Sequence, residues 1–193
     1  MTLTLDLTRR YTYADYLTWV DDVGRELIEG FIKLFPAPRR VHAEISKNIY
    51  RLLDFIVSKK KGGCSVYYAP FDVRFPKNGE TSDNKIYTVV QPDICVVCDP
   101  SKLDDRGCCG APDMIIEIFS PSTGKRDLHE KFLLYEEHGV KEYWIVYPSD
   151  KAIHTFLLQD DGKYNAGIIY EQEGKAPVRV FDDYLLDLKD IFR

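Results

Sequence analysis

Apolar and polar residues along this chain follow two periods, one near 3.6 residues and one near two, and each stretch keeps to one of them. From Arg39 to Lys60 the residues Val41, Ile45, Ile49, Leu52 and Ile56 fall within an arc of about 80° on a helical wheel, which predicts an amphipathic helix. Lys59-Lys60-Lys61-Gly62-Gly63 closes it with positive charge and two glycines, as the helix dipole and C-cap preferences favour. A short amphipathic helix is predicted over Thr12 to Val20, covering an end of a sheet. RELIEGFIKLFPAP carries two apolar runs around Glu29-Gly30 and predicts a hairpin. CSVYYAPFDVRF and IYTVVQPDICVVC have strand character, interrupted at Pro70 and at Pro92-Asp93, and DPSKLDDRGCCGA reads as a loop. After Tyr147 the segments KAIHTFLLQ, DGKYNAGIIYEQ and PVRVF read as antiparallel strands with turns at Ser149-Asp150 and Asp161-Gly162, before a short helical turn near Leu188 to Phe192. The pattern predicts one α/β domain over residues 1–193, a mixed central sheet flanked by helices with a β-rich C-terminal part.

The charges that break this pattern lie mainly between Pro112 and Pro148. Met114, Ile115, Ile116, Ile118 and Phe119 suit a strand buried on both faces, yet Glu117 sits among them. A buried carboxylate needs a cation, a proton or a metal ion. On the following helix, Leu128, Phe132, Leu134 and Tyr135 mark the buried side, and Lys131 projects between Leu134 and Tyr135. Lys131 can pair with Asp127 one turn earlier on the surface, or reach over the strand end toward Glu117 and Asp93. The second reading also supplies the partner that Glu117 needs. His42 lies at the edge of the apolar arc of its helix, where it is either a half-buried histidine at the helix start or a polar group facing the Glu117 cleft.

Asp93 and Glu117 together can hold a divalent cation, because Mg²⁺ takes one or two carboxylates and completes its shell with waters and phosphate oxygens. That chemistry suits phosphodiester hydrolysis. Cys95-x-x-Cys98 is not read as a zinc site, since on a strand the two side chains point to opposite faces. The five cysteines are odd in number and fit a reducing compartment better than a disulfide framework. No Gly-rich phosphate loop or Gly-x-Ser-x-Gly elbow is present. A net charge of −5 argues against a surface coated for non-specific nucleic-acid binding but leaves room for an acidic metal site with a local basic patch. With no membrane-length apolar run and no secretory signal pattern, a cytoplasmic protein is expected.

The order YTYADYL, ELIEGFI, APR-x-x-H, VVQPDI, GAPDMIIEIFSPST, a D-x-x-x-K helix and GVKEYWIVYP resembles the Uma-type restriction endonuclease family, which is similar to the PD-(D/E)XK nuclease superfamily. The resemblance spans nearly the whole chain. It implies a restriction-endonuclease-like fold and Mg²⁺- or Mn²⁺-dependent cleavage of DNA, with Asp93 and Glu117 as metal ligands. The lysine usually found two residues after the acid is replaced by Phe119, and the resemblance moves its role to Lys131. Glu29 and His42 match polar positions near the cleft. Ser120, Ser122 and Thr123, followed by Lys125 and Arg126, are candidate phosphate contacts. DNA and a second copy of the chain are the expected partners, with the β-rich Lys151 to Phe181 region as a possible dimer edge, and no membrane. The alternative is a nuclease-fold module that binds nucleic acid or protein without cutting, as the acidic net charge and Phe119 would allow.

Overall fold

Two of the places where the chain passes from one of its two six-stranded sheets to the other are marked by prolines. The computed structural model describes residues 3–35, 37–60, 62–120 and 124–193, with side chains for all of these except 124–127. α1 (Tyr13–Tyr16) opens with a capping box between Thr12 and Asp15. It ends sooner than expected, because the Thr18 hydroxyl donates to the Asp15 carbonyl at 2.6 Å and competes with continuation of the helix. β1 (Arg25–Ile28) and β2 (Phe31–Leu34) form the expected hairpin, with Glu29 and Gly30 both at positive φ as its two-residue turn requires. α2 (Arg40–Lys59) follows, and then β3 (Ser65–Tyr68) enters a different sheet.

After Pro70 the chain returns to the hairpin's sheet as β4 (Val73–Arg74) and β5 (Val89–Val90), and after Pro92 it leaves again as β6 (Ile94–Val97). Proline has no N–H to donate to a ladder, so each is a natural place to change sheets. β7 (Leu103–Asp104) and β8 (Gly107–Cys109) complete the first sheet, ordered β2-β1-β5-β4-β8-β7. β9 (Met114–Ile118), α3 (Gly124–His138), β10 (Glu142–Tyr147), β11 (Ala152–Leu157) and β12 (Ile168–Glu171) build the second, ordered β12-β11-β10-β9-β6-β3. Only β9 and β10 run parallel within it, joined through α3, so the mixed sheet expected from the sequence is present. β12 is an edge strand with Ile168 and Ile169 exposed.

Two helices cover the second sheet. Met114, Ile116 and Ile118 of β9 face α2 and its Ile45, Ile49, Leu53 and Ile56, whereas Ile115 shares the opposite face with Leu134 and Tyr135 of α3. β13 (Lys175–Val178), β14 (Tyr184–Asp187) and α4 (Leu188–Ile191) close the α2 side with Val178, Phe181, Leu186 and Ile191, and buried Asn48 of α2 donates to the Ile191 carbonyl at 3.1 Å. Ile49 is fully enclosed. Its replacement by alanine is expected to cost about 2–5 kcal/mol in urea unfolding at unchanged m, and a loss below about 1 kcal/mol would contradict this core.

The cysteines correct one expectation. Cys64 and Cys98 are joined in a disulfide, because the antiparallel register of β3 and β6 pairs Ser65 with Val97 and sets the two cysteines opposite each other one step further on. Cys95 and Cys108 are free and buried, as small apolar groups would be. Cys95 and Cys98 face opposite sides of β6, Cys95 toward α3 and Cys98 toward α2. Among the described residues no helix is long and apolar enough to cross a membrane.

Candidate active site

Glu117 belongs to the face of β9 that looks toward α3, where it is 8% exposed. Lys131 and Tyr135, one turn apart on α3, both donate to its Oε1, at 2.9 and 2.6 Å. The Lys131 ammonium also donates to Glu26 Oε1 at 2.9 Å, which brings an acid from β1 of the other sheet to the same cation. Glu26 Oε1 is held in addition by the Gln91 backbone N–H at 2.8 Å, just before the Pro92 crossing. Just after the crossing, Asp93 Oδ2 accepts the Ile118 N–H at 2.7 Å and His42 Nε2–H at 3.1 Å. The Gln91 side chain in turn donates to Asp72 Oδ1 at 2.8 Å and the Tyr16 hydroxyl at 3.1 Å. Glu26 and Glu117 thus share one buried ammonium at the seam of the two sheets, and together with Asp93 they line a cavity of about 160 Å³.

The charges in this cluster do not balance. Among the described residues, three carboxylates against one ammonium leave a formal −2 while His42 is neutral. Burial, with repulsion from Asp93 and Glu26, pushes Glu117 up to about 7 despite the attraction of Lys131. Burial opposes the charge on Lys131, but Glu117 and Glu26 outweigh it and raise its pKa, so the ammonium persists. His42 is desolvated too, yet Asp93 and Glu117 hold its pKa above the usual histidine value.

The Uma2 family model, described as "Putative restriction endonuclease", matches residues 13–188. This chain belongs to the Uma2 family. Its match contains every residue of the cluster, and family membership supports a nuclease-like function for it. The Uma2 chain is 25% identical over 153 residues to "Uncharacterized protein slr1290" of Synechocystis sp. (strain ATCC 27184 / PCC 6803 / Kazusa), covering 78% of this chain and 75% of that one. It also resembles the crystal structure of a "putative nuclease belonging to DUF820" from Anabaena variabilis ATCC 29413, with a TM-score of 0.74 and 21% identity over 94% of this chain and 97% of that one. At that identity the likeness is one of fold.

Of the residues singled out from sequence, the Uma2 fold brings Asp93, Glu117, Lys131 and His42 together. Glu29 stays apart: it occupies the hairpin turn at φ 54°, with its carboxylate 45% exposed and paired with Lys77 at 2.8 Å. The hairpin's contribution is Glu26 instead, because the period of two along β1 turns Glu26 and Ile28 toward the cavity and Leu27 toward Tyr13 of α1. Ser120 lines the cavity. Ser122 and Thr123 lie outside the described residues, as do the side chains of Lys125 and Arg126. Asp113, four residues before Glu117, is committed elsewhere, to Lys141 at 2.7 Å and the Cys98 N–H at 2.7 Å.

The donor set fits a hard divalent cation. Among the described residues the bonds above engage one oxygen of each acid and leave Asp93 Oδ1, Glu117 Oε2 and Glu26 Oε2 without a hydrogen bond. No three acidic, histidine or cysteine side chains among the described residues stand close enough to hold a metal by themselves. An ion bound through Asp93 and Glu117 would complete its shell with water and phosphate oxygens, as Mg²⁺ ordinarily does, and its charge would offset the −2 of the cluster.

Proposed function

We propose that this chain is a Mg²⁺- or Mn²⁺-dependent endonuclease that hydrolyses phosphodiester bonds of DNA. The observation that carries the reading is the seam cluster, in which acids from both sheets each present a spare oxygen to one cavity beside a buried lysine. Asp93 and Glu117 would hold the metal, which when bound lowers the pKa of water and offsets charge developing on the phosphate. The remaining work falls to the protein. His42 and the Ile118 N–H fix Asp93 by its Oδ2, so that Oδ1 faces the cavity in one orientation. Tyr135 does the same for Glu117. Lys131 spends two of its three ammonium protons on Glu26 and Glu117, which leaves one to orient an attacking water or to meet a phosphate oxygen.

Supercoiled plasmid incubated with Mg²⁺ or Mn²⁺ is expected to be nicked, with EDTA abolishing the reaction. Calorimetric titration with Mn²⁺ should report a site that Asp93→Asn removes while the thermal unfolding profile is kept. Plasmid left intact by a concentrated, metal-loaded preparation would defeat the enzyme reading. Retained metal binding without cleavage would instead favour a module that binds nucleic acid without cutting it.

A further inference from the structure

Among the described residues, four carboxylates and two ammonium groups line the cavity: Glu26, Asp93, Glu117 and Glu130 against Lys33 and Lys131. A polyanionic substrate entering this acidic space needs a cation that is free to receive it, and the two lysines differ in that respect. Lys131 is 13% exposed and bound to two buried acids. Lys33 is 35% exposed, and its partner is Glu130 Oε2 at 2.8 Å, equally exposed. In the β1-β2 ladder Lys33 stands directly opposite Glu26, so both side chains leave the hairpin on the same face. Glu130 immediately precedes Lys131 on α3. The Lys33–Glu130 pair therefore bridges from hairpin to helix at the side of the acid–lysine cluster.

A partly exposed pair of single contacts adds little to stability, and its lysine can change partners at small cost. We infer that Lys33 is a substrate-binding residue, which leaves Glu130 to contact a backbone phosphate of the nucleic acid held in the cleft. Glu130 parks the ammonium and competes with the phosphate for it. This rests on the nuclease reading above, and a role for the pair as a structural bridge alone predicts different behaviour. A phosphate contact makes the two charges act in opposite directions on binding, whereas a bridge makes their removal equivalent.

The test measures binding of a fluorescein-labelled DNA duplex by anisotropy across a salt series, with Ca²⁺ replacing Mg²⁺ to keep the duplex intact. Lys33→Ala is expected to weaken binding about threefold to tenfold and to flatten the dependence of log Kd on log salt by about 0.9, one phosphate contact. Glu130→Gln should tighten binding about twofold to fivefold. Lys33→Arg should bind like the wild type, and thermal unfolding of each variant checks that it is folded. Wild-type binding with Lys33→Ala unchanged, or with Glu130→Gln weakened in step with it, overturns the inference and leaves the nuclease reading standing. Absence of any salt-dependent binding by the wild type removes that reading and the inference with it.

Discussion

Replacing Lys131 with methionine or alanine is expected to reduce DNA cleavage by about a hundredfold to a thousandfold, the scale seen when a preorganised donor to a reacting group is lost. The same substitution leaves Glu26 and Glu117 buried without the cation that both now contact. Removing one partner of a buried ion pair typically costs about 3–5 kcal/mol, so the variants should also be less stable near neutral pH in EDTA. Methionine keeps the bulk of the side chain and separates lost charge from lost packing. Single-turnover cleavage under saturating Mn²⁺, at a temperature where the folded fraction is checked by circular dichroism, distinguishes a missing catalytic group from an unfolded protein. Wild-type turnover in a folded Lys131→Met protein would remove this residue from the reaction.

Stability of the metal-free protein should fall as the pH rises from about 4.5 to about 7, the ordinary and folded-state values for Glu117. A folded carboxyl that holds its proton more tightly than the unfolded one gives the folded state an extra bound proton across that window. Raising the pH strips it, at a cost on the order of 3 kcal/mol once the window is passed. His42 acts in the same direction. Its pKa is raised in the fold, so its contribution is complete below the ordinary value of 6.5 and is lost as the pH climbs through the folded one. A divalent cation competes with the proton for Glu117, so saturating Mg²⁺ should stabilise the protein more near pH 8 than near pH 5. Urea denaturation in EDTA and in Mg²⁺ at both pH values measures the difference. In Glu117→Gln the EDTA decline should shrink, and a decline of full wild-type size would place its origin elsewhere.

Glu117 and Lys131 are legible in the sequence because each is a charge on an apolar stripe, an arrangement that folding tolerates only where the charge is answered. Asp93 was legible beside a proline that interrupts a strand, and His42 from its place at the edge of the α2 arc. The same reasoning applied to β1 would have found Glu26, which shares a face with Ile28. Glu29 as a site residue rests on the family resemblance alone, and its place in the hairpin turn takes it out of the strand's alternation. The first six-stranded sheet, the one that holds the hairpin, left little trace in the pattern: β4, β5 and β7 are two residues long, too short to show a period. The Cys64–Cys98 disulfide depends on the register between β3 and β6, a contact 34 residues apart in sequence that composition does not encode.

Apart from Glu117, β9 is a run of interchangeable apolar residues, Met114, Ile115, Ile116 and Ile118, which both of its faces would accept. Side chains alternate with a period of two, so a slip of one residue would turn Glu117 from Lys131 and Tyr135 into the layer of Ile45, Ile49 and Leu53 beneath α2. No cation waits there among those residues, and the carboxylate would be buried unanswered. The acid proposed as a metal ligand therefore also penalises the misaligned strand, so that the demands of the proposed chemistry and of correct pairing fall on the same side chain.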